Sequence, residues 1–484
     1  METLRRVVNN TLISLLGQAI TWTSTLLLTI AYGRFLGDVK FGELYLALTF
    51  VQLVGFPVEY GVNQQLIRDV ATEPETAQRY YATSNLIKSV SWIVLYGALI
   101  ALCQLLGYSP EQSTLIYICG VTLLVRSLAN TVGSLHYAEE RAVFPVIGNI
   151  LEKSISAVIS IVLLIHGAGI ITMAFVLLES IVISGAWQAF WFYRYHSTSF
   201  GFDGGLIRDM LRTGLPFLAY GVISIIYYRI DTVLLSLMTS VAVVGWYGAA
   251  YRLFDTLTFL PSLVISAIMY PVFSKLTVSS EDNLKLAIEK SLNFLLFLSL
   301  PISVGLIVAA PSIIGFLYHS ADFTPAVPAL EGLAPGLVFL YANSVFNAVL
   351  ISTKNESKIT LMVVVALVFN LGLNLVLIPI MQQVGAAILT SLTELLLCTL
   401  SLFFMPRHLM PMKSLPIIGK SLLACLVMAL AILNLTIYHF TNIFIILPVA
   451  MVCYFGIAIL LRTFPRSDLQ AIYLSVRKRS SAAE

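Results

Sequence analysis

The residues of this sequence with chemistry to offer are the few charges enclosed in its long apolar runs. Residues 220–274 read as two membrane-length apolar helices joined by a turn near 239–244, and they carry Arg229, Asp231, Arg252 and Asp255. Arg126, Glu152 and Lys153 sit in an earlier hairpin of the same kind, while Glu179 and Glu394 stand singly in other runs. An ionised side chain at bilayer depth costs roughly 2.5–3.5 kcal/mol on insertion scales, so it faces a cavity or a partner. Guanidinium or ammonium groups so placed can receive an anion. Carboxylates so placed can carry a proton or a coupling cation.

Helical geometry limits how these charges pair. Counting from the 239–244 turn, Asp231 lies level with Arg252 and Arg229 level with Asp255. Arg252 and Asp255 share a face, whereas Arg229 and Asp231, two residues apart, point about 200° apart around their helix. Both cross-helix pairs cannot form cleanly together. Two readings therefore stand side by side: a salt-bridged hairpin that only joins two helices, and an arginine open to an anion with a titratable carboxylate beside it. Arg126 lies level with Glu152, and a structural Arg126–Glu152 pair would leave Lys153 free. Glu179 and Glu394 read as buried acids without an evident partner, suited either to ion coupling or to hydrogen bonding with a neighbouring helix.

The elements that must position these groups are membrane helices. Apolar residues make up 58% of the 484 and charged residues 11%, and the mean hydropathy is +0.90. A soluble surface needs far more charge. The net charge of +3 comes from short clusters between apolar spans, which excludes a nucleic-acid-binding face. The five cysteines lie far apart in apolar stretches, and no histidines pair at metal-ligand spacing. Gly419-Lys420-Ser421 ends like a phosphate-binding loop, but Ser414 stands where that motif needs glycine. The basic start followed by residues 11–32 reads as a retained first helix, long enough to span.

Spans of roughly 20 residues can be placed about fourteen times. The expected fold is an all-α polytopic membrane protein with two pseudo-symmetric six-helix lobes around a central cleft and an additional C-terminal helix pair. The lobes are residues 1–193 and 213–405, joined by a cytoplasmic connector at 194–212; the extra pair is 406–463, and a basic tail fills 464–484. With a cytoplasmic N-terminus, the inner connections hold most of the 28 Lys and Arg, Lys88 among them, and the outer ones hold only Arg34 and Lys40. That alternation places both termini in the cytoplasm. The halves repeat: Gly42-Glu-Leu-Tyr45 aligns with Gly245-Trp-Tyr-Gly248, and His166-Gly-Ala-Gly169 with Gln382-Gln-Val-Gly385. Pro216, Pro261, Pro301 and Pro335 within spans are kink points and candidate hinges.

Several of these stretches resemble the polysaccharide transporters of the multidrug/oligosaccharidyl-lipid/polysaccharide (MOP) exporter superfamily. The resemblance rests on Tyr228-Arg229-Ile230-Asp231, Gly245-Trp246-Tyr247, Ala250-Tyr251-Arg252-Leu253, Pro261 and Pro271. It continues through Asn370-Leu-Gly-Leu-Asn374, Pro379, Gly385-Ala386-Ala387 and Glu394, with a looser match in the first half at Leu36-Gly37, Phe41-Gly42 and Tyr60-Gly61. It implies a flippase that moves a polyprenyl-pyrophosphate-linked oligosaccharide to the outer leaflet of the cytoplasmic membrane by alternating access. Arg126, Lys153, Arg229 and Arg252 are then candidates for binding the pyrophosphate, and Asp231, Asp255, Glu179 and Glu394 for ion coupling. No cofactor is implied beyond a proton or sodium ion. The expected partners are the lipid-linked oligosaccharide, membrane lipids and proteins of polysaccharide assembly, around a monomeric transporter. The alternatives are a multidrug cation antiporter of the same superfamily and a lipid II flippase. A membrane-embedded polymerase or ligase would need a large outer loop with paired catalytic residues, and the outer loops here are short.

Overall fold

The computed structural model describes residues 2–196, 203–265 and 269–463, and every regular element among them is helical. The basic tail, with Arg477, Lys478 and Arg479, and residues 197–202 of the expected connector lie outside the described residues.

The chain divides into two compact units. The first comprises Met1–Ala249 with Asn374–Gln383, and the second comprises Ala250–Leu373 with Val384–Glu484. In chain order the helices are α1 (Glu2–Glu59), α2 (Val62–Thr72), α3 (Ala77–Leu105), α4 (Pro110–Ala138), α5 (Val143–Ile165), α6 (Ile170–Tyr195), α7 (Gly204–Met238) and α8 (Val241–Leu257). There follow α9 (Phe259–Val264), α10 (Tyr270–Ser279), α11 (Glu281–Val308), α12 (Ala310–Tyr318), α13 (Ala326–Ser352), α14 (Glu356–Phe404), α15 (Leu415–Ile437) and α16 (Ile443–Leu460). Eleven described helices are long and apolar enough to cross a membrane. Two of them are double: α1 breaks at Gly37 (φ 74°) and α14 at Gln382 (φ 48°). With the interrupted pair α8–α9, the expected count of about fourteen spans is met. Gly37 is the cheap way to turn a chain within one residue, because it lacks the Cβ that left-handed backbone crowds.

Large apolar side chains line the outside of these helices, among them Val158, Phe190, Val368, Leu430 and Val452. That surface is stable only against hydrocarbon. Inside the first unit, α2 is amphipathic. Its stripe Val62, Leu66, Val70 packs with Ile87, Val132, Leu135, Phe192 and Met210, so the short helix closes one end of the α3–α4–α6–α7 cluster. In the second unit, Cys425, Met428 and Ile432 of α15 and Ile446 and Tyr454 of α16 pack around Leu300 of α11. The Tyr454 hydroxyl donates to the Phe297 carbonyl at 2.7 Å, which ties the last helix to the same core.

The Gly42 and Gly245 stretches meet. A Cβ on Gly42 would fall 2.3 Å from the Val241 carbonyl oxygen, and one on Gly245 would fall 2.2 Å from that of Asp38. The second limb of α1 and the start of α8 thus cross backbone to backbone, which only glycine permits. Gly248 receives the Tyr45 ring, and Trp246 Nε1 donates to Asp38 Oδ2 at 3.0 Å. Pro335 lies inside the continuous helix α13, and a side chain of α14 supports the backbone beside it. Gly336 N donates to Ser391 Oγ at 2.9 Å while that hydroxyl donates to Gly332 O at 2.6 Å. The Ser391 hydroxyl of α14 thereby bridges the Gly336 amide and the Gly332 carbonyl, one turn apart.

Candidate functional site

Helices α4 and α5 bring three charges of the first unit together. Arg126 Nη2 donates to Glu152 Oε1 at 2.9 Å, and Lys153 Nζ donates to the same oxygen at 2.7 Å. The expected Arg126–Glu152 pair forms, but Lys153 is not left free by it. Adjacent residues on a helix reach one oxygen here because the lysine stem is long enough to fold back beside its neighbour. The exposures are unequal: the Glu152 side chain is 10% exposed, Arg126 38% and Lys153 32%. Two cations share one carboxylate oxygen, and both are more exposed than the acid between them.

A second network was not read from the sequence. Lys88, counted there among the inner connections, lies inside α3 with its side chain 0% exposed. Its ammonium is met by Glu59 Oε2 at 2.7 Å, Asn63 Oδ1 at 2.7 Å and the Ser127 carbonyl at 3.2 Å. Glu59 is held in turn by Asn63 and Asn130, each donating an amide at 2.8 Å. All three ammonium hydrogens are used, which is how a buried lysine stays charged. The signal that could have found it is the buried stripe Thr83, Ser84, Ile87, Lys88, polar on the face that packs.

The charges of the central hairpin are divided between the units. Asp231 is 3% exposed; it accepts from the Tyr247 hydroxyl and, at 2.7 Å, from its neighbour Thr232 N. Arg229 is half-buried on another face of α7, as their two-residue spacing requires. Arg252 and Asp255 are half-buried in the second unit.

The two single acids differ from expectation. Glu179 is exposed, not buried: α6 turns Met173, Ser180, Ser184 and Gln188 inward, and Glu179 lies about 100° off that stripe. Glu394 is buried, but it has a partner. Asn343 Nδ2 donates to Glu394 Oε2 at 2.9 Å and to its carbonyl at 3.0 Å.

At one end of the first unit, outside the spanning segments, Asp203 caps α7 by accepting from Gly205 N and Leu206 N and pairs with Arg79. The Arg79 contact and those two amides hold its carboxyl below the usual range. Asp69 on α2 is pushed up by burial, but hydrogen bonds from Arg68 and Tyr80 outweigh this and leave it lowered. Asp69, Arg79 and Tyr80 line a polar pocket with Thr72, Glu73, Thr76 and Leu206. No group of three or more His, Cys, Asp or Glu side chains able to hold a metal ion occurs among the described residues.

Known proteins share this architecture. The chain is 24% identical over 427 residues to the probable flippase AglR of Haloferax volcanii, an alignment covering 85% of this chain and 86% of that one. Its fold is similar to the lipid II flippase MurJ in an inward closed conformation, with a TM-score of 0.72 and 17% identity over 94% of this chain and 99% of that one. It is also similar to an inward-facing multidrug resistance MATE family transporter of the MOP superfamily, with a TM-score of 0.67 and 15% identity over 84% and 98% of the two chains. The family model described as polysaccharide biosynthesis protein matches residues 32–328. An all-helical, multi-pass chain with charges held inside its spans, matched by that model over more than half its length, belongs to the polysaccharide biosynthesis protein family and has the fold of the MOP-superfamily transporters.

Proposed function

We propose that this protein flips a polyprenyl-pyrophosphate-linked oligosaccharide from the inner to the outer leaflet of the cytoplasmic membrane by alternating access. The observation that carries this reading is the Arg126–Glu152–Lys153 cluster. Its two cations share one carboxylate oxygen, and both are partly exposed within a spanning bundle. A pyrophosphate is the group such charge would receive, since guanidinium forks match phosphate oxygens. Glu152 then keeps the two cations together when no substrate is bound. Arg229 and Arg252 are further candidates for the anion, and Asp231, Asp255, Glu179 and Glu394 for coupling to a proton or sodium gradient. Both termini face the cytoplasm in this reading, the working unit is a monomer, and polysaccharide-assembly proteins are its partners. A multidrug cation antiporter of the same fold would present acidic groups at the exposed site, where this chain presents basic ones.

The test is flipping of a lipid-linked oligosaccharide in vesicles. Arg126→Ala and Lys153→Ala should each slow flipping severalfold at unchanged protein level, and the double variant should abolish it. Lysine at 126 should rescue only in part, because it keeps the charge and loses the fork. Normal flipping by the double variant would remove the cluster from the substrate path.

A further inference from the structure

The Arg126 cluster and the Lys88 network of the first unit meet along one row of α4. Arg126 and Asn130 are i and i+4 on that helix, so they share a face and lie about 6 Å apart along its axis. Tyr137, eleven residues after Arg126, falls within about 20° of the same line and is 42% exposed. Asn130 is exposed as well, and its amide donates to Glu59 Oε1 at 2.8 Å. The row therefore runs from a cation, through an amide beside a carboxylate, to an aromatic ring near the C-terminal end of α4.

The hydrogen bonds around Glu59 limit what the middle step can bind. Glu59 Oε2 is filled: it accepts from Asn63 Nδ2 at 2.8 Å and meets the Lys88 ammonium at 2.7 Å. Oε1 accepts from Asn130 alone among the described residues, which leaves one of its two lone-pair directions open. Asn130 spends one amide hydrogen there. Its second hydrogen and its Oδ1 make no hydrogen bond among the described residues. Glu59 is 23% exposed and Lys88 0%, so the carboxylate and the amide reach the surface and the ammonium does not. The surface thus offers two acceptors and one donor. An anion is repelled by the carboxylate. A cation meets a carboxylate already neutralised by Lys88 and surrounded by N–H donors. A hydroxyl group is donor and acceptor at once and matches the pattern, and the exposed Tyr137 ring beyond it suits the apolar face of a sugar.

We propose that Asn130 and Glu59 form the subsite for the first sugar of the lipid-linked oligosaccharide, one helical turn from the pyrophosphate at Arg126. The inference rests on the flippase reading above and adds to it the recognition of the sugar. That sugar is bonded directly to the pyrophosphate, so its hydroxyls must lie close to the group that holds the phosphates. Lys88 and Asn63 are positioning residues: they hold the carboxylate and do not reach the sugar. Selectivity follows from the same atoms, because a site built to hydrogen-bond a hydroxyl discriminates against a substrate that lacks it.

The test is binding by the full-length purified chain of a polyprenyl diphosphate, bare or carrying one glucose, galactose or N-acetylglucosamine. The native chain should prefer at least one sugar-bearing lipid over the bare one. Asn130→Ala should lower that preference about five- to tenfold, the worth of one or two hydrogen bonds. Asn130 is exposed and Glu59 keeps Asn63 and Lys88, so this variant should fold. Glu59→Gln/Lys88→Met, which removes both charges together, should lower the preference in the same way. Arg126→Ala should weaken binding of both kinds of lipid and keep their ratio. A preference that survives Asn130→Ala, or a native chain that prefers none of the sugar-bearing lipids, overturns the subsite. Equal weakening of bare and sugar-bearing lipid by Asn130→Ala assigns that residue to the pyrophosphate and overturns it too. If the native chain binds neither kind of lipid, the flippase reading falls and takes the subsite with it. If bare lipid binds and Arg126→Ala weakens it, but no sugar is preferred, only the subsite falls.

Discussion

Lys88 and Glu59 make unequal demands on the fold, and the inequality can be measured. Breaking a buried ion pair from one side costs about 3–5 kcal/mol, because a charge is left behind without its partner. Lys88→Met leaves Glu59, which is 23% exposed and still accepts the Asn63 and Asn130 amides at 2.8 Å. That stranded carboxylate is partly hydrated and doubly hydrogen-bonded, so the cost should fall near the lower end, about 3 kcal/mol. Glu59→Gln instead leaves an ammonium that is 0% exposed among neutral oxygens, those of Asn63 and Ser127 included, with its counter-charge gone. Its cost should approach the upper end, about 5 kcal/mol. The double variant Glu59→Gln/Lys88→Met removes both charges and should recover most of the loss. The assay is a double-mutant cycle on thermal and denaturant midpoints of the purified chain. A Lys88→Met penalty equal to or above that of Glu59→Gln, or a coupling energy below about 1 kcal/mol, would refute the reasoning.

Other consequences follow from single contacts. Gly245→Ala drives a Cβ to 2.2 Å from a backbone oxygen that no rotamer change can move aside, so the α1–α8 crossing must part; the thermal midpoint should fall by the equivalent of about 1–3 kcal/mol, and an unchanged midpoint contradicts the crossing. Ser391→Ala removes the hydroxyl that bridges the Gly336 amide and the Gly332 carbonyl beside Pro335, a loss of about 1–3 kcal/mol that Ser391→Thr should largely spare in the same melt. The folded-state pKa of Asp69 is lowered, so its contribution to stability is present above the unfolded value of about 3.9 and is lost as pH falls through the lower folded value. Midpoints recorded from pH 6 downward should therefore drop below about pH 5, and Asp69→Asn should flatten that drop. For topology, a cysteine at the exposed Ser240 should react with an impermeant maleimide on intact cells and one at Asn355 should not; the reverse labelling would invert the chain in the membrane.

What a one-dimensional reading resolves in a membrane chain is position along the bilayer normal. Apolar length and the alternation of basic connections locate the spans, and the turns at Gly37 and Gln382 fall where that alternation requires them. The family was legible from short stretches such as Gly245-Trp246-Tyr247. The Gly42 and Gly245 repeat was visible as an alignment, and the Arg126–Glu152 pair as two residues at one level. Azimuth was not legible, because which side of a helix is buried depends on neighbours that arrive from distant sequence. Glu179 and Glu394 lie at similar depth, yet packing exposes the first and sets the second against Asn343. Lys88 looks like an inner-surface cation by hydropathy, and α2 and α4 close over it. Lys153 looked free because one carboxylate seemed spoken for, and a single oxygen served two donors. A helix's sequence sets its length and its depth; only the helices around it decide which of its charges meet a partner, because a buried charge is tolerated where packing brings its counter-charge or its hydrogen bonds, and nowhere else.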